Sequence, residues 1–194
     1  MLINLEGIDG CGKSTQSQLL MDEFEKNDEK TILLKEPTNG KYGRKLWEML
    51  SGKIEATTEE ILELFVMDRK EHVDQKINPA LNEGKIVLMD RYYYSTMAYQ
   101  AAAGIDVKRI RKDNEFAPKP DIVLIFDLPA DLAMKRVRGH SVADVFEKEE
   151  HLEKVRKAYL HLEDDPLVRI IDATRTPEEI FDEVWKLVSE VRNG

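Results

Sequence analysis

A single cysteine, Cys11, occurs in 194 residues. No disulfide can therefore close within the chain, and no cysteine-built metal site is available. That fits a reducing compartment, and a cytoplasmic location is expected. No apolar run approaches the roughly 20 residues that a membrane helix needs. The N-terminus enters an apolar strand pattern without a basic leader, and no lipidation signal ends the chain. No membrane partner is expected. Positive charge is scarce as well: 29 Lys and Arg face 38 Asp and Glu, for a net charge of −9 and a pI near 5.1. No Lys/Arg block can track a polynucleotide backbone, so no nucleic-acid polymer is expected as a partner. The four histidines, His72, His140, His151 and His161, show no metal-ligand spacing with carboxylates. All but His140 are expected on solvated surfaces or at helix contacts. Repeats, low-complexity linkers and a second domain are also missing, which leaves one domain over 1–194.

What is present begins with a phosphate loop. Residues Gly7-Ile8-Asp9-Gly10-Cys11-Gly12-Lys13-Ser14 complete a G-x-x-x-x-G-K-[ST] pattern directly after the apolar stretch Met1 to Leu5. Glycines let consecutive backbone N–H groups turn toward a phosphate chain, Lys13 supplies a point charge to the outer phosphates, and the Ser14 hydroxyl suits Mg2+. Leu20 and Phe24 follow at helical spacing, so the loop lies between a strand and a helix, as the mechanism requires.

Short apolar segments at 2–6, 31–35, 86–90, 122–127 and 168–172 alternate with helix-length ones. The alternation predicts a parallel sheet wrapped by helices, an α/β fold of three layers. Ile86 to Met89 and Ile122 to Phe126 are unbroken apolar runs, as strands buried on both faces should be, and are expected in the interior of the sheet. Thr176 and Pro177 predict the start of a last helix with a buried stripe at Ile180, Val184, Leu187 and Val191. Between Asp131 and Glu163 a helical period breaks at Arg138-Gly139-His140-Ser141. That reads as two helices joined by an exposed segment, either a lid over about 136–150 or an ordinary interhelical loop. The run Glu147 to His151 reads as a solvated helical face.

Other residues must say which phosphate-loop chemistry is meant. The guanine-reading Asn-Lys-x-Asp pattern is missing, since Lys119-Pro120-Asp121 lacks the amide. A GTPase switch is disfavoured. Asp90 and Arg91 end a buried strand at the sheet edge where α/β ligands bind. Asp90 suits Mg2+ through water and Arg91 a bidentate anion clamp, the alternative being a surface ion pair. Phe65 and Arg69 lie four residues apart on a predicted helix face. A ring beside a guanidinium can stack on a base and bond its edge; otherwise Phe65 belongs to the core.

These ordered blocks resemble the thymidylate kinases: Glu6 to Thr15, Glu36-Pro37-Thr38, Leu64-Phe65 with Asp68-Arg69 and His72, Asp90-Arg91-Tyr92 through Ser95-Thr96 to Ala98-Tyr99-Gln100, and Pro120-Asp121. The resemblance spans nearly the whole chain and implies transfer of the ATP γ-phosphoryl group to dTMP, with Mg2+, in a homodimer. It implies nucleotide contacts for the loop from Gly7 through Ile8, Asp9, Gly10, Cys11, Gly12, Lys13 and Ser14 to Thr15. Arg136 would lie against adenine. Phe65 would stack on thymine and Arg69 would bond its edge, with Thr96 and Gln100 near the base. Tyr99 would crowd the sugar 2′ position, and Asp9 would meet the 3′-hydroxyl. Arg91, with the loop around Glu36 and Pro37, would hold the 5′-phosphate.

No residue between the loop glycines is basic, so the resemblance moves the catalytic cation to the lid, at Arg138. Lys35 and Trp47 stand where it implies arginines, with Arg44, Lys41 or Lys45 to compensate. A kinase of another monophosphate, a deoxynucleoside kinase and a nucleotide-binding module without turnover are the alternative functions.

Overall fold

Five short apolar runs become strands at the predicted boundaries: β1 (Leu2–Glu6), β2 (Thr31–Lys35), β3 (Ile86–Asp90), β4 (Ile122–Asp127) and β5 (Val168–Asp172). The computed structural model describes residues 1–136 and 142–193. All strands are parallel, in the order β2-β3-β1-β4-β5. β3 and β4 flank β1 and are buried almost throughout, whereas the edge strands β2 and β5 expose part of each face. The unbroken apolar runs thus fall inside the sheet, where helices cover both faces.

The intervening helices are α1 (Lys13–Lys26), α2 (Lys41–Leu50), α3 (Thr58–His72), α4 (Asn78–Asn82), α5 (Tyr93–Ala102), α6 (Val107–Asp113), α7 (Ala130–Arg136), α8 (Val142–Leu160) and α9 (Pro177–Asn193). A π-helical turn, Val73–Ile77, joins α3 to α4. α1 packs with α9 on the sheet, and α5 packs with α8. Leu20 and Phe24 of α1 are fully buried, and Phe24 meets Trp185 of α9 edge-on at 5.2 Å. No helix of the described residues is long and apolar enough to cross a membrane.

Helix starts follow local chemistry. Thr57 and Glu60 form a reciprocal capping box at α3, and Thr176 with Glu179 does the same at α9. The α9 stripe differs from expectation. Ile180, Val184 and Val188 are its buried residues, Leu187 is half-buried, and Val191 is exposed. Seventeen helical residues run about 25 Å, whereas a five-residue strand spans about 16 Å, so the last turn outruns the sheet.

Every strand ends on a charged residue: Glu6, Lys35, Asp90, Asp127 and Asp172. Register aligns Lys35 with Asp90, Asp90 with Leu5, and Asp127 with Asp172. Charge is thereby gathered along the C-terminal edge, where open α/β sheets bind ligands.

Candidate active site

The phosphate loop follows β1 and turns its small residues inward. Ile8 and Cys11 are buried, Asp9 is exposed, and α1 begins at Lys13. Gly7 has φ +132°, and a Cβ there would lie 2.7 Å from the Phe126 carbonyl oxygen and 2.8 Å from the Cys11 Sγ, so only hydrogen fits. Gly12, at φ +103°, caps α1 without a side chain, and a Cβ there would meet nothing within 4 Å. The space before the α1 N-terminus is open, and first-turn N–H groups lack helical partners. This is an anion cradle.

Lys13 is buried within it. Its Nζ donates to the carbonyl oxygens of Gly7 and Ile8 at 3.0 and 3.1 Å and lies 3.6 Å from the Cys11 Sγ. Among the described residues no carboxylate reaches it within 4 Å. Burial pushes its ammonium below the ordinary lysine value, and repulsion from Arg91 adds to this. A buried cation held by neutral dipoles gains from an arriving anion. Ser14 and Thr15 are exposed on the same first turn.

A cavity of about 380 Å³ opens beside the loop. Asp9, Glu36, Pro37, Phe65, Arg69, Arg91, Tyr99 and Gln100 all line it, so the structure brings together eight residues predicted for one acceptor site. Phe65 and Arg69 come from successive turns of α3, and Tyr99 and Gln100 from the end of α5. Asp68 fastens the loop beyond Pro37 to α3 by accepting from the Thr38 backbone N–H at 2.8 Å and its hydroxyl at 2.6 Å.

Arg69 is nearly fully buried. Its Nε donates to Glu36 at 2.8 Å, Nη1 to Asn114 at 2.5 Å and Nη2 to Thr96 at 3.1 Å, while Nη2 also lies 2.7 Å from Glu36. Thr96 therefore stands behind Arg69 and is not on the wall. Glu36 also meets His72 Nδ1 at 3.1 Å. His72 is consequently buried at a contact between α3 and the β2 loop rather than solvated. The Gln100 side-chain amide oxygen, Oε1, is buried and has no partner among the described residues.

Arg91 has φ +70°, a left-handed conformation costing about 1–2 kcal/mol for a side chain of this kind. Bonds on either side hold it: its own N–H donates to Leu5 at 3.0 Å, and the Tyr92 N–H donates to Glu6 at 2.7 Å. The guanidinium donates to Asp9 at 2.7 Å and to the Tyr99 hydroxyl at 3.3 Å. Partial desolvation works to raise the Asp9 carboxyl, but the Arg91 charge and hydrogen bond outweigh it and hold Asp9 below the usual carboxylate range.

Of the expected compensating cations, Lys41, Arg44 and Lys45 are absent from the described cavity wall, whereas Lys35 lines it and meets Asp90 Oδ2 at 3.1 Å. The other Asp90 oxygen is buried without a partner among the described residues. Among the described residues no group of three or more His, Cys, Asp or Glu could hold a metal. One orphaned carboxylate oxygen and the exposed Ser14 hydroxyl are hard oxygen ligands, and the pair suits Mg2+, which keeps waters and takes its other ligands from phosphates.

Arg136, the last residue of α7, is exposed, and its Nη2 donates to the Ala173 carbonyl at 3.3 Å. Arg138, Gly139, His140 and Ser141 lie outside the described residues, and so does this part of the predicted 136–150 lid. His151 was not expected here: it lines the cavity from α8, its ring tilted against Tyr99 at 6.4 Å. Glu6 and Asn114 were missed too. Glu6 is signalled as the one charge in a strand that is otherwise apolar but for Asn4, whereas nothing in the sequence marks Asn114 or His151.

A parallel α/β sheet carrying a phosphate loop at the end of its central strand, with a cation-lined cavity alongside, is the architecture of the phosphate-loop nucleotide-binding proteins. The Thymidylate kinase family model matches residues 5–184. The chain is 41% identical over 194 residues to a probable thymidylate kinase of Archaeoglobus fulgidus, covering all of this chain and 97% of that protein. It is 42% identical over 193 residues to the thymidylate kinase of Desulfotalea psychrophila (98% and 95%) and 39% identical over 194 residues to that of Xylella fastidiosa (98% and 91%). The chain belongs to the thymidylate kinase family.

Proposed function

We propose that this chain phosphorylates dTMP to dTDP with ATP. The observation that carries the reading is a phosphate loop with a buried lysine and no carboxylate partner within 4 Å among the described residues, beside a cavity lined by the Phe65 ring, the Gln100 amide and the Arg91 guanidinium. A phosphate oxygen of dTMP attacks the γ-phosphorus of ATP, the bond from that phosphorus to the β–γ bridging oxygen breaks, and ADP leaves. The acceptor oxygen is already anionic at neutral pH, so no general base is needed, and catalysis reduces to in-line positioning and charge neutralisation.

Lys13 and the loop amides hold the outer phosphates of ATP. Ser14 and Asp90 would hold Mg2+, which when bound neutralises phosphate charge. Arg136 lies against adenine, and Arg138 supplies the catalytic cation. Phe65 stacks on thymine. Arg69, with one Nη1 hydrogen not engaged by the described residues, bonds the base edge beside Gln100, while Thr96 holds Arg69. Tyr99 packs against deoxyribose, Asp9 takes its 3′-hydroxyl, and Arg91 with the Glu36-Pro37 loop takes the 5′-phosphate. The reading carries with it a homodimer in the cytoplasm, which sedimentation of the purified protein and fractionation of cells would test.

A coupled ADP-release assay with dTMP, dUMP, dCMP, dGMP and thymidine in parallel tests the activity. Preference for dTMP is expected. Preference for another acceptor overturns the specificity, and silence with all five overturns catalysis in favour of a binding module.

A further inference from the structure

Glu6 is the last residue of β1, directly before the phosphate loop, and it is fully buried. Its Oε1 accepts from the Tyr92 N–H at 2.7 Å. Its Oε2 lies 2.5 Å from the Ser95 hydroxyl and 2.9 Å from that of Tyr159, which sits on α8 and is also buried. The two hydroxyls are 2.8 Å apart, and Arg91 Nη1 lies 3.1 Å from Ser95 Oγ and 3.3 Å from Tyr159 Oη. Burial raises the Glu6 carboxyl, opposed by these hydroxyls, the Tyr92 N–H and the Arg91 charge.

One end of this knot is a pure donor. A guanidinium can only donate, so both hydroxyl oxygens accept from Arg91. Glu6 Oε2 lies within hydrogen-bond reach of both hydroxyls, which can donate to it or to each other. The hydroxyls thus join a buried anion to a mostly covered cation that do not touch, and every donor of the knot has an acceptor within reach. Other charged or titratable groups around the knot include Asp9 from the loop and Tyr99 from α5, both bonded to Arg91, and Lys13 of α1, which Arg91 repels.

We propose that Glu6 is a positioning residue for the acceptor: through Ser95 and Tyr159 it fixes the Arg91 guanidinium in the cavity and ties α8 to the same point. The proposal rests on the reading of Arg91 as the acceptor-phosphate clamp. Glu6→Gln probes it with almost no change of shape. The amide oxygen must stay on the Tyr92 N–H, which turns the amide NH2 toward both hydroxyls and leaves at least one of their protons without an acceptor in the knot. Tyr159→Phe removes one link while keeping the ring that meets Tyr99 edge-on at 6.3 Å.

The experiment measures KM and kcat for dTMP and ATP on the full chain, together with 15N relaxation of the Arg91 side-chain Nε–H, assigned by its loss in Arg91→Lys. Both variants should raise the dTMP KM about tenfold, the scale of one charge-assisted bond. The ATP KM should stay within about twofold, kcat should fall less than the dTMP KM rises, and the Arg91 signal should become mobile. If Glu6→Gln does not fold, Tyr159→Phe and Ser95→Ala carry the test. An Arg91 side chain as ordered as in the parent overturns the proposal. Mobility without a change in the dTMP KM overturns instead the acceptor role of Arg91 on which it rests.

Discussion

The Asp9 carboxylate accepts a hydrogen bond from the Arg91 guanidinium at 2.7 Å, joining the phosphate loop to the residue after β3 across 82 positions of sequence. Asp9 is largely exposed while Arg91 is mostly covered, so the pair sits at the mouth of the cavity with its cation inward. An incoming phosphate must share or displace this contact. The phosphate loop and the clamp proposed for the acceptor therefore meet in one ion pair.

That pair fixes the titration of Asp9. Its carboxyl is held below the ordinary value of about 3.9, so it stays ionised as pH falls until the acid side of that value. The contribution of the pair is present above the unfolded value and fades as pH drops through the folded one. Arg91→Gln should raise the Asp9 carboxyl, because the charge and hydrogen bond that oppose its partial desolvation most are gone and only the weaker pull of Lys13 and Lys35 remains. A carboxyl 13C titration of parent and variant reads this, and an unmoved Asp9 curve would contradict the assignment.

Glu36 and Phe65 line the same cavity but should respond oppositely. Glu36→Ala leaves the buried Arg69 without its carboxylate, and such a loss costs about 3–5 kcal/mol. Phe65→Ala removes a half-buried ring from the cavity wall, so stability should fall less while dTMP binding weakens more. Urea unfolding beside calorimetric dTMP titration separates them. Equal loss of stability in both would argue that Phe65 is a core residue.

The catalytic cation assigned to Arg138 is tested by turnover. In phosphate-loop enzymes a supplied arginine is worth about 10^3–10^5 in rate. Arg138→Ala should lower kcat by that order while leaving the dTMP KM within a few-fold. Full turnover in the variant would shift the role elsewhere.

How far these assignments could be seen in the sequence follows from distance along the chain. The phosphate loop is contiguous, Phe65 and Arg69 are one turn apart, and the five strands carry their own apolar patterns, so all were legible. Arg69 also depends on Asn114, 45 residues away, and Glu6 on Tyr159, 153 away. No local period encodes such contacts. His151 reads as part of a charged helical run, and only the packing of α8 on α5 turns it to the cavity beside Tyr99. Val191 fits the α9 stripe, but the length of the sheet, which no single helix records, leaves it exposed.

Lys13 gives a pH-dependent signature. Its ammonium lies below the ordinary lysine value because it is buried and faces Arg91. A bound phosphate chain supplies the opposite charge and must raise it. ADP binding should therefore take up protons on the alkaline side and weaken as pH rises through the value of the free protein. Calorimetry at pH 9–10 in buffers of different ionisation enthalpy measures the uptake, relative to the ordinary lysine value of about 10.4. Lys13→Met should abolish it, and an uptake unchanged in that variant would assign the proton elsewhere.

Gly43 lies within α2, and a Cβ there would stand 2.0 Å from the Thr38 carbonyl oxygen and under 3 Å from two further Thr38 backbone atoms. Neither side yields easily. Thr38 is fastened to Asp68 by its N–H and its hydroxyl, and Leu46 anchors α2 in the core. Gly43→Ala must push α2 from the loop, at about 1–3 kcal/mol as overpacked sites show, which exceeds the roughly 1 kcal/mol helix preference for alanine. Because Pro37 of the same loop and Trp47 of α2 both line the cavity, the displacement should also raise the dTMP KM. Denaturant midpoints and acceptor kinetics on one variant check both. Stabilisation with unchanged kinetics would mean that α2 and the loop separate freely.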